Sequence, residues 1–171
     1  KSGANTTPRN IMISLFLIVS RVYPHAANFS PVLALCLMSG FLAQKKPSLL
    51  ALPALALIVS DALLGFYPGM LFNYLAFGAL FFVGTKTSFK FSGFAFSGLF
   101  GAVVFFLISN FGVWFSSQMY TPDLSGLLTC YQMGLPFFRF TLMSTTAFML
   151  IFFGLSSLAS HQLREEGLLE T

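Results

Sequence analysis

Charged side chains are missing from four long stretches of this chain, and those stretches limit what it can fold into. They cover 22–44, 62–85, 91–122 and 140–163, and contain 23, 24, 32 and 24 residues. A helix that spans a bilayer needs about 20 mostly apolar residues, so each stretch can hold one. Only 8% of the chain is charged and 56% is hydrophobic, which argues against a soluble domain and against disorder. The sequence therefore predicts an all-α integral membrane protein.

We predict six transmembrane helices in a bundle, with boundaries near 9–23, 30–44, 48–65, 69–86, 92–112 and 136–159. Ser30-Pro31 and Thr121-Pro122-Asp123 indicate helix starts, because a capping hydroxyl precedes a proline at the first helical position. The second of these predicts an extra short amphipathic helix over 122–135 in the last outer loop, before Pro136 begins the final span. The predicted organisation is an N-terminal tail at 1–8, a transmembrane domain at 9–159 and a C-terminal tail at 160–171.

Positive charges set the expected orientation. An even number of spans places both termini on one side, which receives seven of the nine Lys and Arg residues and leaves Arg21 and Arg139 on the other. The positive-inside rule then puts both termini and both tails in the cytoplasm. We expect a multi-pass protein of the bacterial inner membrane whose surroundings are lipid. Nucleic acid is not an expected partner, because the positive charge is spread thinly along the chain.

Polar residues are concentrated at the predicted outer end. Polar groups at membrane depth are costly unless they are paired or face water, so their concentration suggests a cavity that opens outward. The candidate ligand-binding residues are Arg21, His25, Asn28, Asp61, Tyr74, Asn110, Trp114, Tyr131 and Arg139.

Each candidate also has a structural explanation. Arg21 and Arg139 could extend to the interface, and Trp114 could belong to an aromatic belt. Asp61 is expected to pair with Arg21, Arg139 or His25, because a lone carboxylate at that depth tends to protonate. A structural ion pair and a ligand site both remain open for this group.

Small residues repeat every fourth position at Gly93, Ser97 and Gly101, and Ala51 and Ala54 offer a similar face on the third helix. Such patterns allow helices to approach closely in lipid. Packing within the chain and docking of a membrane partner subunit are both open explanations.

Known catalytic patterns are missing from the sequence: it contains no Gly-x-Ser-x-Gly, phosphate loop or His-Glu-x-x-His motif. Its two His and two Cys do not form a metal-site spacing. We expect no enzyme activity, no catalytic residue, no metal site and no resident cofactor. An intramembrane hydrolase that uses His25 is the remaining catalytic alternative.

Residues 21–31 (RVYPHAANFSP) resemble the opening motif of a family of small bacterial membrane proteins without an assigned function. The later segments Ser60-Asp61 with Gly65, Asn73-Tyr74, 105–114 and 126–139 are also similar, so that the resemblance covers about residues 21–155.

The six-span layout with an outward polar site also resembles the S components of energy-coupling-factor (ECF) vitamin transporters, nearest the solitary cobalamin-binding members. The resemblance implies that His25, Asp61 and Arg139 would contribute to a corrinoid site, with cobalamin or another vitamin as substrate. The cobalamin members place a cysteine shortly after the Asp, whereas 64–79 contains none here. The resemblance thus implies a transport-type fold more than one vitamin.

The predicted function is binding and translocation of a small molecule, a vitamin or cofactor precursor with a corrinoid among the candidates, taken from the outer face. The alternative is a non-transporting accessory subunit of a larger membrane complex.

Overall fold

The fold consists of six helices, and no strand occurs among the residues described. A computed structural model describes residues 6–22, 29–44, 47–65 and 67–165. The helices are α1 (Thr6–Val22), α2 (Val32–Leu42), α3 (Ala51–Leu64), α4 (Met70–Thr85), α5 (Phe91–Ser116) and α6 (Leu124–Glu165), with a 3-10 turn at Pro47–Leu50 before α3. The prediction of an all-α fold with six helices at these places is confirmed.

Within the described part of the chain, two helices are long and apolar enough to cross a membrane. They are α5 over Phe91–Ser116 and α6 over Leu124–Leu158, and only 28% and 17% of their most apolar windows are buried. The core helix of a soluble protein would be mostly buried, so this exposure supports a membrane protein. The remaining helices contain 17, 11, 14 and 16 residues. Their lengths, about 17–26 Å at 1.5 Å per residue, are below the roughly 30 Å thickness of the hydrocarbon core of a bilayer.

The separate short helix expected at 122–135 is wrong. Residues 124–165 form one helix, with Pro136 inside it. A proline removes one backbone hydrogen bond, but neighbouring groups can satisfy the freed carbonyl in a bundle. The first turns of α6 also pack on α5, where the Tyr131 hydroxyl donates to Leu107 O at 2.8 Å. After the proline, a Cβ on Gly98 of α5 would lie 2.9 Å from the Thr146 Cα, so α6 packs on α5 on both sides of Pro136.

Both predicted helix starts lie near their signals. The Ser30 hydroxyl accepts a hydrogen bond from the Val32 N–H at 3.3 Å, and Pro31 already has helical dihedral angles. At α6 the capping residue is Asp123 rather than Thr121: its Oδ1 accepts from the Gly126 N–H at 2.7 Å. A carboxylate suits this position because it also faces the positive end of the helix dipole.

The core is built around α2, whose residues Val32–Gly40 are all buried. It packs on α4 so closely that a Cβ on Gly40 would clash with Phe81 O and lie 3.0 Å from the Gly84 Cα. The Cβ of any larger residue at Gly84 would likewise clash with Leu37 O. Only glycine allows two helix backbones to approach this closely.

Helices α4, α5 and α6 continue the bundle side by side, whereas α3 makes its extensive backbone contacts with α1. The α3–α4 and α5–α6 connections lie at the same end of the molecule, because a Cβ on Gly69 would lie 2.8 Å from the Ser116 Oγ. This end, defined by 65–69 and 117–123, is called the loop end below.

Candidate functional site

The predicted ligand-binding residues fall on three parts of the chain. His25 and Asn28 lie outside the described residues, and so does the Arg21 side chain, although Arg21 itself belongs to the last turn of α1. Asp61 and Tyr74 lie on α3 and α4, whereas Asn110, Trp114, Tyr131 and Arg139 lie on α5 and α6. Five of these residues lie in the parts of their helices that are near the loop end: Asp61, Tyr74, Asn110, Trp114 and Tyr131.

The α5–α6 residues hold their own helices and the connecting loop together. The Trp114 Nε1 donates to Thr121 O at 3.0 Å, and the Asn110 Nδ2 donates to Phe106 O at 2.9 Å. The Cys130 thiol donates to Asn110 O at 3.3 Å, next to the Tyr131 bond described above. These donors are committed to backbone carbonyls, so the contacts support a structural role for Asn110, Trp114 and Tyr131.

Arg139 is exposed on α6, and its guanidinium lies 4.7 Å from the centre of the neighbouring Phe140 ring. An arginine over an aromatic face is a favourable cation–π arrangement that needs no carboxylate. Its position agrees with the interfacial alternative. Among the described residues it forms no salt bridge.

Asp61 is fully buried in the last turn of α3, and it interacts with a neighbour. A buried carboxylate in an apolar bundle needs a hydrogen-bond or ion-pair partner, since burial of an isolated charge is very costly. The predicted pairing with Arg21 or His25 concerns side chains outside the described residues and stays a prediction.

A cleft lies between α3 and α4, on the face of α3 that carries Asp61 one turn beyond Leu57. Its volume is about 280 Å³, and its walls are Ala54, Leu57, Ile58, Tyr74, Phe77, Gly78 and Phe81. Leu57 and Asp61 are four residues apart and share one face of α3. The short 65–69 connection makes α3 and α4 antiparallel, so Asp61 and Tyr74 both lie toward the loop end of the cleft. The cleft therefore has an apolar body and a polar end.

Two larger grooves elsewhere are less enclosed. One of about 370 Å³ lies between α1, α2 and α6, and one of about 430 Å³ lies between α5 and α6. Their polar linings are Ser156 and Thr146. Neither contains a candidate residue from the sequence, so the α3–α4 cleft is the best candidate site. Of its walls, only Tyr74 and Ala54 are among the residues that the sequence singles out, because apolar cleft residues look the same as core or lipid-facing residues.

The small-residue pattern on α5 is largely used within the chain. Ser97 is buried and its hydroxyl lies 2.7 Å from the Thr87 Oγ1. A Cβ on Gly98 would lie 2.9 Å from the Thr146 Cα of α6, and one on Gly101 would lie 2.9 Å from the Leu37 side chain of α2. These contacts support packing within the chain as the role of this face.

Asp123, in the loop just before α6, has a pKa that is shifted by its hydrogen bonds. Its carboxylate accepts hydrogen bonds from the Gly126 N–H, the Thr121 hydroxyl at 2.8 Å and the Ser125 hydroxyl at 3.1 Å. These bonds favour the charged form and lower the pKa of Asp123 below its ordinary 3.8. Asp123 is thus a structural cap at the start of α6.

Neither the curated proteins nor the solved structures contain a significant match to this chain. One protein family does match, over residues 3–166. Since this match covers nearly the whole sequence, the chain belongs to the family of unknown function DUF6580.

Proposed function

We propose that this chain is a multi-pass membrane protein that binds a small molecule and passes it through the bilayer. The proposal includes six spans, cytoplasmic termini and a place in a bacterial inner membrane. The observation that carries it is the cleft between α3 and α4, which combines apolar walls with a buried carboxylate beyond one end. Binding pockets are commonly of this kind, mostly apolar with a few polar groups that orient the ligand.

The cleft limits the ligand. Its volume of about 280 Å³ is near the lower end of the usual range for ligand pockets, about 300–1,000 Å³. That size suits a small flat or aliphatic molecule better than a corrinoid. Aromatic rings at Phe77 and Phe81 can stack on a flat ligand, and the Tyr74 hydroxyl can bond a polar group.

The positive-inside orientation places the loop end outside. The Tyr74 and Asp61 end of the cleft would then face the outer surface, and a ligand would enter with its polar group toward that side. The chain contains no phosphate loop, so energy for transport would come from a gradient or from another protein.

The accessory-subunit alternative gains nothing from the small-residue pattern on α5, because the chain's own helices cover most of that face. The Ala51 and Ala54 face is different, since Ala51 is exposed and Ala54 lines the cleft. This face is therefore open to a ligand. A small molecule bound there would support the transport proposal over the accessory alternative.

The test is a ligand-binding measurement on purified protein in detergent, with a panel of water-soluble vitamins that includes cobalamin. A ligand at 100 times its Kd stabilises the folded state by about 2.7 kcal/mol, which a melting curve resolves. Gly78→Leu should remove the shift, because the new side chain enters the cleft and a Cβ there meets no atom within 4 Å.

Gly154→Leu is the matched control, since its Cβ also meets nothing within 4 Å and the residue lies on α6, away from the cleft. The control should keep the wild-type shift. A panel without any shift, or a shift that survives Gly78→Leu, would count against the cleft as the binding site.

A further inference from the structure

The six helices divide into two groups by their contacts. Extensive contacts join α2 to α4, α4 to α5 and α5 to α6 in turn, whereas α3 contacts α1 and has no comparable contact with α4, its neighbour along the chain. The α1–α3 pair meets the other four helices mainly where α1 and the 3-10 turn contact α2. The two groups are called the α1–α3 pair and the four-helix body.

The four-helix body is locked internally by several independent contacts. The α2 and α4 backbones touch at Gly40 and Gly84. Near the opposite end from the loops, the Phe94 ring on α5 lies 5.1 Å from the ring of Phe41 on α2 and 5.3 Å from that of Phe153 on α6. Packed rings and backbone contacts of this kind resist relative movement of the helices.

Two grooves lie along the boundary between the two groups, beside the core contacts that Leu17 and Leu57 make with the four-helix body. One is the α3–α4 cleft, and the other is the groove of about 370 Å³ between α1, α2 and α6. Wall atoms next to a gap lose part of their dispersion contacts, so moving them costs less than moving atoms in a filled core. Two of the grooves described thus lie between helices of the two groups.

Glycines at both ends of the α3–α4 connection allow such movement. Gly65 has φ 96° and Gly69 has φ 84°, values that other residues rarely adopt. A Cβ on Gly65 would meet nothing within 4 Å, so no side chain restrains its backbone from that direction. Hinges commonly consist of a few such residues at the ends of elements.

We infer that the α1–α3 pair moves as a unit against the four-helix body, and that this movement opens and closes the α3–α4 cleft. The inference deepens the proposed function, because it makes the movement the regulator of ligand access to the same cleft. The movement itself does not depend on the ligand. It can therefore be tested without one.

The experiment measures distances between spin labels in protein reconstituted into lipid nanodiscs. Leu55→Cys on α3 and Leu75→Cys on α4 are each combined with Met143→Cys on α6. All three side chains are exposed, and the native Cys36 and Cys130 are buried, so the unsubstituted chain serves as the labelling background. The two double-cysteine variants share one label and differ only in the helix group that carries the other.

The expected result is two distance populations for the 55–143 pair and one narrow population for the 75–143 pair. A single population in both pairs would overturn the movement, and two populations in both would overturn the division into these groups. A second set, Val59→Cys and Phe82→Cys with Met143→Cys, repeats the comparison at other exposed positions in case one variant does not fold.

The distance measurement and the vitamin-binding measurement can fail independently of each other. Two populations at 55–143 together with no vitamin binding would leave the movement standing and remove its proposed ligand. Vitamin binding together with a single population would leave the binding site standing and remove its proposed regulation.

Discussion

The contact between α2 and α4 gives a sharp stability prediction. Gly84→Ala adds one methyl group where α4 meets α2, and that methyl would clash with Leu37 O and lie 3.0 Å from the Gly40 Cα. Both obstacles are backbone atoms, which cannot rotate away as the end of a side chain can. The two helices must therefore separate, and contacts along their shared face weaken together.

The cost follows from two opposing terms. Overpacking a filled core costs about 1–3 kcal/mol. Replacing glycine by alanine inside a helix returns about 0.5–1 kcal/mol. Gly78→Ala on the same helix has the second term alone, because a Cβ there meets nothing within 4 Å. The difference between the two variants, about 1–3 kcal/mol, therefore isolates the packing cost.

The measurement is reversible unfolding by sodium dodecyl sulfate in mixed micelles, followed by the fluorescence of Trp114, the single tryptophan of the chain. Trp114 is suited to this because its ring packs on Phe111 and its Nε1 bonds the α5–α6 loop. Gly84→Ala should unfold at clearly lower detergent fraction than Gly78→Ala. Equal stability of the two variants would refute the close approach of α2 and α4.

Three further predictions concern the α5–α6 region and the topology. Asp123→Ala should lower the melting temperature at neutral pH but have little effect in strong acid: the folded-state pKa is depressed, so its contribution is present above pH 3.8 and lost as the pH falls through the lower folded value. Tyr131→Phe should destabilise the fold by about 0.5–1 kcal/mol, because the bond to Leu107 O is lost. Gln118→Cys should react with an impermeant maleimide from outside the cell, and Ser88→Cys only after permeabilisation, since the two loops lie at opposite ends of α5 and the proposed orientation puts the first outside.

Each of these has a result that would contradict it. An Asp123→Ala deficit that persists in strong acid would show that the charged cap is not its cause. An unchanged Tyr131→Phe variant would mean that the hydroxyl finds water as readily as the carbonyl. Reaction of both cysteines from the same side would show that the chain does not cross the membrane between residues 88 and 118.

The sequence alone predicted the six helices, because the long uncharged apolar stretches and the Pro-containing caps are local signals. Ser30 before α2 and the boundary near Lys90 depend only on neighbours along the chain. Pro136 shows the limit of such signals. It indicates a helix start in isolation, yet packing of residues 124–135 on α5 keeps α6 continuous through it.

The sequence also indicated that polar residues gather at one end, because charge and polarity follow topology. It could not tell which of them pair with their own backbone, as Asn110 and Trp114 do, since hydrogen-bond partners depend on how helices pack. The cleft itself came from tertiary structure alone. It exists because α3 packs on α1 instead of α4. Which helices pack against each other, among helices of similar hydrophobicity, is decided by the shape of their surfaces at positions such as Gly40 and Gly84.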